Sequence, residues 1–301
     1  MKPRPSARQP AEGREKWGFH TGDALAPGRV AVRLLGGGER YETYLAWDER
    51  LLALVAVKIV RPHLVSSERA LRGLANEAAL LERLRHPVIV RGFDAVLDGD
   101  RPQLVLEHLE GPRLSTLVRR YGPLVPEQLL PLGLQLCSAA HYLALEGIVH
   151  LDVKPSNVIM GAPARLIDLS IARTVAELAG TERRIGTDAY MSPEQCDPVG
   201  RGPITGAADV WGVGATLYHA ATGSPPFAGR ESDARYPQLR EPPEPLPPSI
   251  DPVLAELLEE CLRPNAAERP APAEVAARLE PLVDRLPKRA LMARLRVRPP
   301  R

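Results

Sequence analysis

Short apolar runs separated by turn residues fill the first third of the chain, which is the pattern typical of β-strands. The strand candidates are Val30–Leu35, Leu52–Val60, Val88–Leu97 and Gln103–Glu107. Between the second and third candidates, Glu68–Arg85 carries its leucines and alanines on one helical face and predicts a helix. The first third therefore predicts a sheet accompanied by one main helix.

After Gly111 the spacing of apolar residues becomes helical. The helix candidates are Leu114–Tyr121, Pro126–Glu146, Ala207–Thr222, Pro252–Leu262 and Pro272–Leu286. Strands followed by helices indicate two separate packing units. We therefore predict a domain over residues 27–286, with a first lobe at 27–107, a hinge at 107–111 and a second lobe at 112–286.

The two ends of the chain differ in composition from its middle. Residues 1–26 are polar and rich in proline, so they predict a mobile leader, and they lack the apolar segment of a signal peptide. Residues 287–301 form a basic tail without acidic side chains. A solvated tail is the ordinary expectation, and contact with an anionic surface or a partner is the alternative.

Overall composition excludes several classes of protein. The 301 residues are 44% hydrophobic and 25% charged, and 39 lysines and arginines against 37 acidic residues give a net charge of +2. This balance argues against a nucleic-acid partner. No stretch predicts a transmembrane segment, and the three cysteines show no spacing typical of a metal site or disulfide framework. We therefore expect a cytoplasmic protein.

The segment His150–Asn157, with the sequence HLDVKPSN, carries the most informative chemistry. Asp152 can accept a proton from an attacking hydroxyl, and Lys154 can neutralise charge on a phosphoryl group during transfer. Asn157 can bind a metal ion through its amide oxygen. Eleven residues later, Asp168 follows an apolar strand and offers a carboxylate to the same metal. An aspartate that only stabilises a strand-exit turn is the alternative interpretation of Asp168.

A glycine run and a lysine on an apolar strand are candidates for phosphate binding. The run Gly36–Gly38 lies between two strands, where a backbone without Cβ atoms can cover phosphates, although a glycine-rich hairpin turn is the ordinary alternative. Lys58 ends the run Val55–Lys58, and its ammonium group needs a partner if it is buried. Glu77 on the predicted helix could supply one. A lysine that extends into solvent and a solvated glutamate are the alternatives.

In order and spacing, these segments resemble the motifs of bacterial eukaryotic-like (Hanks-type) serine/threonine protein kinases. The resemblance covers about residues 29–286 and rests on the glycine run, VAVK, HLDVKPSN, IDLS at 167–170, GTDAYMSPE at 186–194 and DVWGVG at 209–214. It implies an α+β, bilobal protein-kinase-like fold. The N-lobe would have a small antiparallel β-sheet with one main helix, and the C-lobe would be larger and mainly helical.

The resemblance also implies roles for the candidate residues. Lys58, paired with Glu77, would bind the α- and β-phosphates of ATP. Asp152 would orient the substrate hydroxyl, and Lys154 would stabilise the transferred charge. The Mg²⁺ ligands, with Mn²⁺ as the alternative metal, would be Asn157 and Asp168. The nucleotide, bound between the lobes, would contact Leu35, Gly36, Gly38, Thr43, Ala56, Lys58, Leu106, Glu107, Leu109 and Ile159.

Further contacts follow from the same resemblance. Thr187 would hydrogen-bond Asp152 and Lys154, and Glu194 would pair with Arg269. Asp209 would steady the catalytic loop from inside the second lobe. The implied partners are ATP and proteins with serine or threonine acceptors, and the chain's own hydroxyl groups are further candidate acceptors for autophosphorylation.

Three departures from the family pattern bear on activity and its control. Tyr41 replaces the third glycine of the glycine run, Leu151 replaces the arginine beside the catalytic aspartate, and Ser170 replaces a glycine after the metal-binding aspartate. We expect a stiffer glycine loop, a metal-binding loop that changes conformation less readily, and activity that does not require a phosphorylated activation segment. A nucleotide-binding pseudokinase that acts as a scaffold is the alternative. The GTDAYMSPE segment disfavours a small-molecule kinase.

Overall fold

A computed structural model of the protein describes residues 15–227 and 235–287. The described residues divide into two compact units, residues up to 83 together with 91–108, and residues 84–90 together with those from 109 onward. The sequence predicts a single boundary at 107–111, whereas residues 84–90 cross to the second unit. Main-chain hydrogen bonds between this segment and Leu166 explain the difference, since Leu166 N donates to Val88 O (2.6 Å) and Val90 N donates to Leu166 O (3.0 Å).

The first unit is an antiparallel six-stranded sheet with one long helix. Its elements are β1 (Ala24–Ala26), β2 (Arg29–Gly37), β3 (Tyr41–Asp48), β4 (Ala53–Val60), α1 (Glu68–Arg83), β5 (Gly92–Val96) and β6 (Gln103–Glu107). The strand order is β1-β2-β3-β4-β6-β5. Alternate residues of β3 and β4 face a buried core that includes Tyr44, Val55 and Val57, as the twofold period of a strand requires.

Residues 17–26 belong to this folded unit, which corrects the prediction that they form a mobile leader. Trp17 and Phe19 stack on each other and pack against the core of the sheet. The indole nitrogen of Trp17 donates to Val60 O (2.8 Å), and the guanidinium of Arg101 lies over both aromatic rings at 5.4 and 5.0 Å. Residues 1–14 of the expected leader lie outside the described residues.

The second unit is mainly helical. Its helices are α2 (Leu114–Tyr121), α3 (Pro126–Leu145), α4 (Val175–Leu178), α5 (Pro193–Cys196), α6 (Ala207–Thr222), α7 (Pro252–Cys261) and α8 (Pro272–Asp284). Its short strands are β7 (Ile148–Val149), β8 (Val158–Ile159), β9 (Arg165–Leu166) and β10 (Arg173–Thr174). Helix α3 packs closely on α6 and α8 at Gly133, where there is no room for a side chain. A Cβ atom added there would lie 2.8 Å from Leu279 Cδ1 on α8 and 3.4 Å from Leu217 Cδ1 on α6.

The predicted α+β class, with a strand-rich first unit and a helical second unit, is confirmed. Within the two described ranges, no helix is long and apolar enough to cross a membrane. The basic tail, apart from Pro287, lies outside those ranges.

Candidate active site

A short hairpin brings the two proposed metal ligands to the same end of the second unit. Strands β8 and β9 pair antiparallel with Val158 opposite Leu166. The hairpin continues with a hydrogen bond from Ile167 N to Asn157 O (2.9 Å). Asn157 and Asp168 are therefore neighbours across the hairpin end, although eleven positions separate them in the sequence.

Asp152 is the centre of a hydrogen-bond network in this unit. Its side chain is buried, and its Oδ1 accepts from Thr187 Oγ1 at 2.7 Å. Its Oδ2 accepts from Lys154 Nζ at 2.7 Å and from Asn157 Nδ2 at 2.9 Å. Lys154 Nζ also donates to Thr187 Oγ1 at 2.5 Å, so the two contacts expected of Thr187 are present. Three side chains, two from the same loop and Thr187 from a segment 35 positions away, thus fix the direction of one carboxylate.

The backbone around Asp152 is held in an unusual conformation. Leu151 has φ of +68°, which costs a branched residue free energy and persists only where neighbours impose it. The buried carboxylate of Asp209, on α6, accepts from His150 N (2.7 Å) and Leu151 N (2.9 Å). The pKa of Asp209 is raised above its usual value, because the effect of burial outweighs the opposing effects of His150 and of these two hydrogen bonds. Asp209 therefore holds the loop as the resemblance implies.

Gln195 is a residue of this site that the motif analysis missed. Its side-chain amide nitrogen donates to Leu151 O (2.9 Å) and Ile185 O (2.8 Å), so it joins the catalytic loop to the segment that ends at α5. The local signal was available, since Ser192 and Gln195 have the spacing of a capping box, and Gln195 Oε1 accepts from Ser192 N at 3.1 Å.

Leu151 contacts an apolar cluster in place of the charged partner that an arginine would require. The cluster consists of Val149, Leu151, Leu178, Ile204 and Ala208, with Ile171 and Ile185 packed against it. Leu151 is only 3% exposed. The cluster member Leu178 and the two residues packed against the cluster, Ile171 and Ile185, belong to residues 168–194, which we call the activation segment. Burial of one leucine stabilises a fold by about 1.5–3 kcal/mol, so the cluster is a substantial anchor for this segment.

A buried ion pair fastens the end of the activation segment to the helical core. Arg269 Nη1 and Nη2 donate to the two carboxylate oxygens of Glu194 at 2.6 and 2.8 Å. The side chains are 0% and 1% exposed, and the pair is the one expected from the resemblance. The guanidinium also donates to the backbone oxygens of Ala207, Arg263 and Pro264, so its remaining donors are satisfied.

The geometry at Asp168 suits a metal ligand. Asp168 has φ of +70°, and its Oδ1 accepts from the hydroxyl of Ser170 at 2.8 Å. Asn157 uses its amide nitrogen on Asp152, which leaves its amide oxygen available. Among the described residues, no group of three or more histidine, cysteine, aspartate or glutamate side chains is positioned for a metal. Two oxygen ligands fit Mg²⁺, which is commonly bound by few protein groups together with phosphates.

The first unit contains the expected lysine–glutamate pair. Lys58 Nζ donates to Glu77 Oε2 at 2.5 Å, and the side chains are 7% and 0% exposed. Lys58 is on β4 and Glu77 on α1, so the pair joins the sheet to the helix. A buried ammonium and carboxylate of this kind stabilise each other, because either one alone would be strongly disfavoured. The solvent-exposed alternatives for both residues are wrong.

The candidate nucleotide contacts are divided between the units. Two of them, Leu109 and Ile159, lie in the second unit. The other eight lie in the first unit and are Leu35, Gly36, Gly38, Thr43, Ala56, Lys58, Leu106 and Glu107. Within the first unit, Thr43 pairs with Lys58, and Ala56 pairs with Leu106, in adjacent strands. A Cβ at Gly36 or Gly38 would meet open space, so neither glycine is required by packing.

Comparisons with known proteins show similarity to protein kinases. The protein kinase domain family matches residues 30–278. The chain is 35% identical over 230 residues to serine/threonine-protein kinase PkaA of Streptomyces coelicolor, across 74% of this chain and 42% of that relative. It is also 35% identical to the serine/threonine-protein kinases PknB of Mycobacterium leprae, over 227 residues, and of Mycobacterium tuberculosis, over 228 residues. Each of these matches covers 72% of this chain and 36% of the relative. The matched region thus spans about two fifths or less of these relatives.

Proposed function

This chain belongs to the protein kinase domain family, and we propose that it transfers the γ-phosphate of ATP to serine and threonine hydroxyls of proteins. The observation that carries the proposal is the network around Asp152, in which Thr187, Lys154 and Asn157 orient the carboxylate. Such a carboxylate can accept the proton of a substrate hydroxyl that attacks the phosphoryl group.

Each unit contributes a distinct part of the proposed chemistry. In the first unit, Lys58 binds the α- and β-phosphates and Glu77 keeps its ammonium in place. In the second unit, Lys154 neutralises charge on the transferred group, while Asn157 and Asp168 bind Mg²⁺, with Mn²⁺ as the alternative. The bound metal supplies positive charge that stabilises the phosphates during transfer.

We also propose that this kinase works without a phosphorylated activation segment. An arginine beside the catalytic aspartate could bind a phosphate on that segment, whereas Leu151 has neither charge nor hydrogen-bond donors. The apolar cluster around Leu151 supports an alternative means of ordering the segment. Thr174, one of its phosphorylatable residues, already caps α4 through reciprocal hydrogen bonds with Glu177.

Radiolabelled ATP tests the proposed activity directly. The chain is incubated with γ-labelled ATP, Mg²⁺ and a generic protein substrate, and the labelled amino acids are identified after hydrolysis. We expect label on phosphoserine or phosphothreonine, and none when Mg²⁺ is chelated. Nucleotide binding without transfer to any protein would instead identify a pseudokinase.

A further inference from the structure

Tyr41 occupies the position at which the family pattern has its third glycine, and its side chain points into the first unit. Tyr41 is 8% exposed. It lies at the start of β3 opposite Val60, while Lys58, two residues earlier on β4, is opposite Thr43. Residues two apart on a strand share a face, so Tyr41 and Lys58 are diagonal neighbours on one face of the sheet.

The ring of Tyr41 contacts the ammonium group of Lys58, and its hydroxyl contacts helix α1. Lys58 Nζ lies 4.7 Å from the centre of the ring, within the range of a cation–π interaction. The hydroxyl donates to Ala70 O on α1 at 2.8 Å. Helix α1 also carries Glu77, the carboxylate partner of Lys58. One side chain therefore contacts both the ammonium group and the helix that holds its counter-ion.

We propose that Tyr41 is a positioning residue that fixes Lys58 for phosphate binding and fastens α1 to the sheet. A lysine ammonium has a flexible four-carbon stem and loses rotamer freedom when it binds a phosphate. The aromatic face and Glu77 restrict that freedom before the nucleotide arrives. The inference rests on the proposed function only in assigning Lys58 to the phosphates of ATP.

Nucleotide binding provides the test, because it can be measured without phosphoryl transfer. Tyr41→Leu removes the ring and the hydroxyl but keeps apolar bulk, whereas Tyr41→Phe removes the hydroxyl alone. Affinities for ATP with Mg²⁺ and for adenosine are compared by calorimetry. We expect Tyr41→Leu to weaken ATP binding about three- to tenfold and Tyr41→Phe by a smaller factor, as loss of one cation–π contact and one hydrogen bond implies. Adenosine, which has no phosphates, should bind all three proteins equally.

Tyr44→Phe is the matched control. Tyr44 is also a buried tyrosine of β3, but it faces the opposite side of the sheet and donates to Glu42 Oε2 at 2.8 Å. Its loss should lower stability without changing the ratio of ATP to adenosine affinity. A double-mutant cycle adds a second readout, since Tyr41→Leu and Glu77→Gln should be non-additive for ATP affinity, whereas Tyr44→Phe and Glu77→Gln should be additive.

Three results would overturn the inference. Unchanged ATP affinity in Tyr41→Leu would make Tyr41 an ordinary core residue. Equal weakening of ATP and adenosine would indicate a general loss of structure. Tighter ATP binding in Tyr41→Leu or Tyr41→Gly would show that the ring obstructs the phosphates, which would favour a pseudokinase. Failure of the proposed activity would be seen separately, as absent transfer by the unmodified chain.

Discussion

Replacement of Asp152 with Asn is expected to lower kcat for phosphoryl transfer by about 10²–10⁴-fold, the usual contribution of a positioned general base. The amide keeps the size of the carboxylate and one of its two acceptor oxygens, but it cannot take up the proton of a substrate hydroxyl. The KM for ATP should change little, because the residue assigned to the phosphates is Lys58. Initial rates with labelled ATP, measured at saturating ATP and protein substrate, check the prediction.

The control must separate lost chemistry from lost folding. Asp284→Asn makes the same chemical change at an exposed aspartate at the end of α8, and its rate should equal that of the unmodified chain. The thermal unfolding midpoint of Asp152→Asn should remain within a few degrees of the original, since Thr187 and Lys154 retain each other as partners. A folded Asp152→Asn protein with unimpaired turnover would rule out the assigned role of Asp152.

The largest stability effect is expected for Arg269→Ala. The substitution leaves the carboxylate of Glu194 buried without its bidentate partner, and loss of one partner from a buried pair typically costs about 3–5 kcal/mol. It also removes the guanidinium that stacks over the Trp211 ring at 5.0 Å and binds three backbone oxygens. Urea unfolding followed by tryptophan fluorescence measures the free energy of unfolding.

Two further proteins make this prediction specific. Arg278→Ala breaks a partly exposed contact with Glu256 and Glu260 and should cost about 1 kcal/mol or less. The double replacement Arg269→Met with Glu194→Leu removes both charges and should recover part of the loss, because no unpaired ion then remains buried. If Arg269→Ala were no more destabilising than Arg278→Ala, the buried pair would not anchor the activation segment as we describe.

Periodic segments of the sequence were sufficient to predict the long elements. The bounds of α2 and α6 agree with the predicted ones, and α1, α3, α7 and α8 end within two residues of them, because each helix buries one or more full apolar faces. Strand β1 has three residues, too few for a period. Strand β3 was not predicted, because it begins at Tyr41, the position of the third glycine in the family pattern. The polar composition of the leader concealed Trp17 and Phe19, although two aromatic rings are enough to fasten a segment.

Motif spacing identified the proposed reacting groups but not the side chains that orient them. Asp152, Lys154 and Asn157 stand close together in sequence, and their chemical types alone suggest phosphoryl transfer. Gln195 acts across 44 positions and the Tyr41 hydroxyl across 29, so neither contact could be found from local patterns. The departure at Leu151 predicts a missing charged contact, while the apolar cluster that takes its place depends on tertiary packing.

The central claim is that the phosphoryl-transfer site is intact and needs no phosphate on the activation segment. The most direct test is the time course of transfer by chain that has been treated with phosphatase and verified as unphosphorylated by mass spectrometry. The same measurement is made on a variant with Thr174→Asn and Thr181→Ala, in which Asn preserves the helix cap that Thr174 provides. We predict linear transfer from the first time point in both proteins, with rates within about twofold of each other. Absence of transfer, or a lag that ends only as Thr174 or Thr181 becomes phosphorylated, would contradict the account.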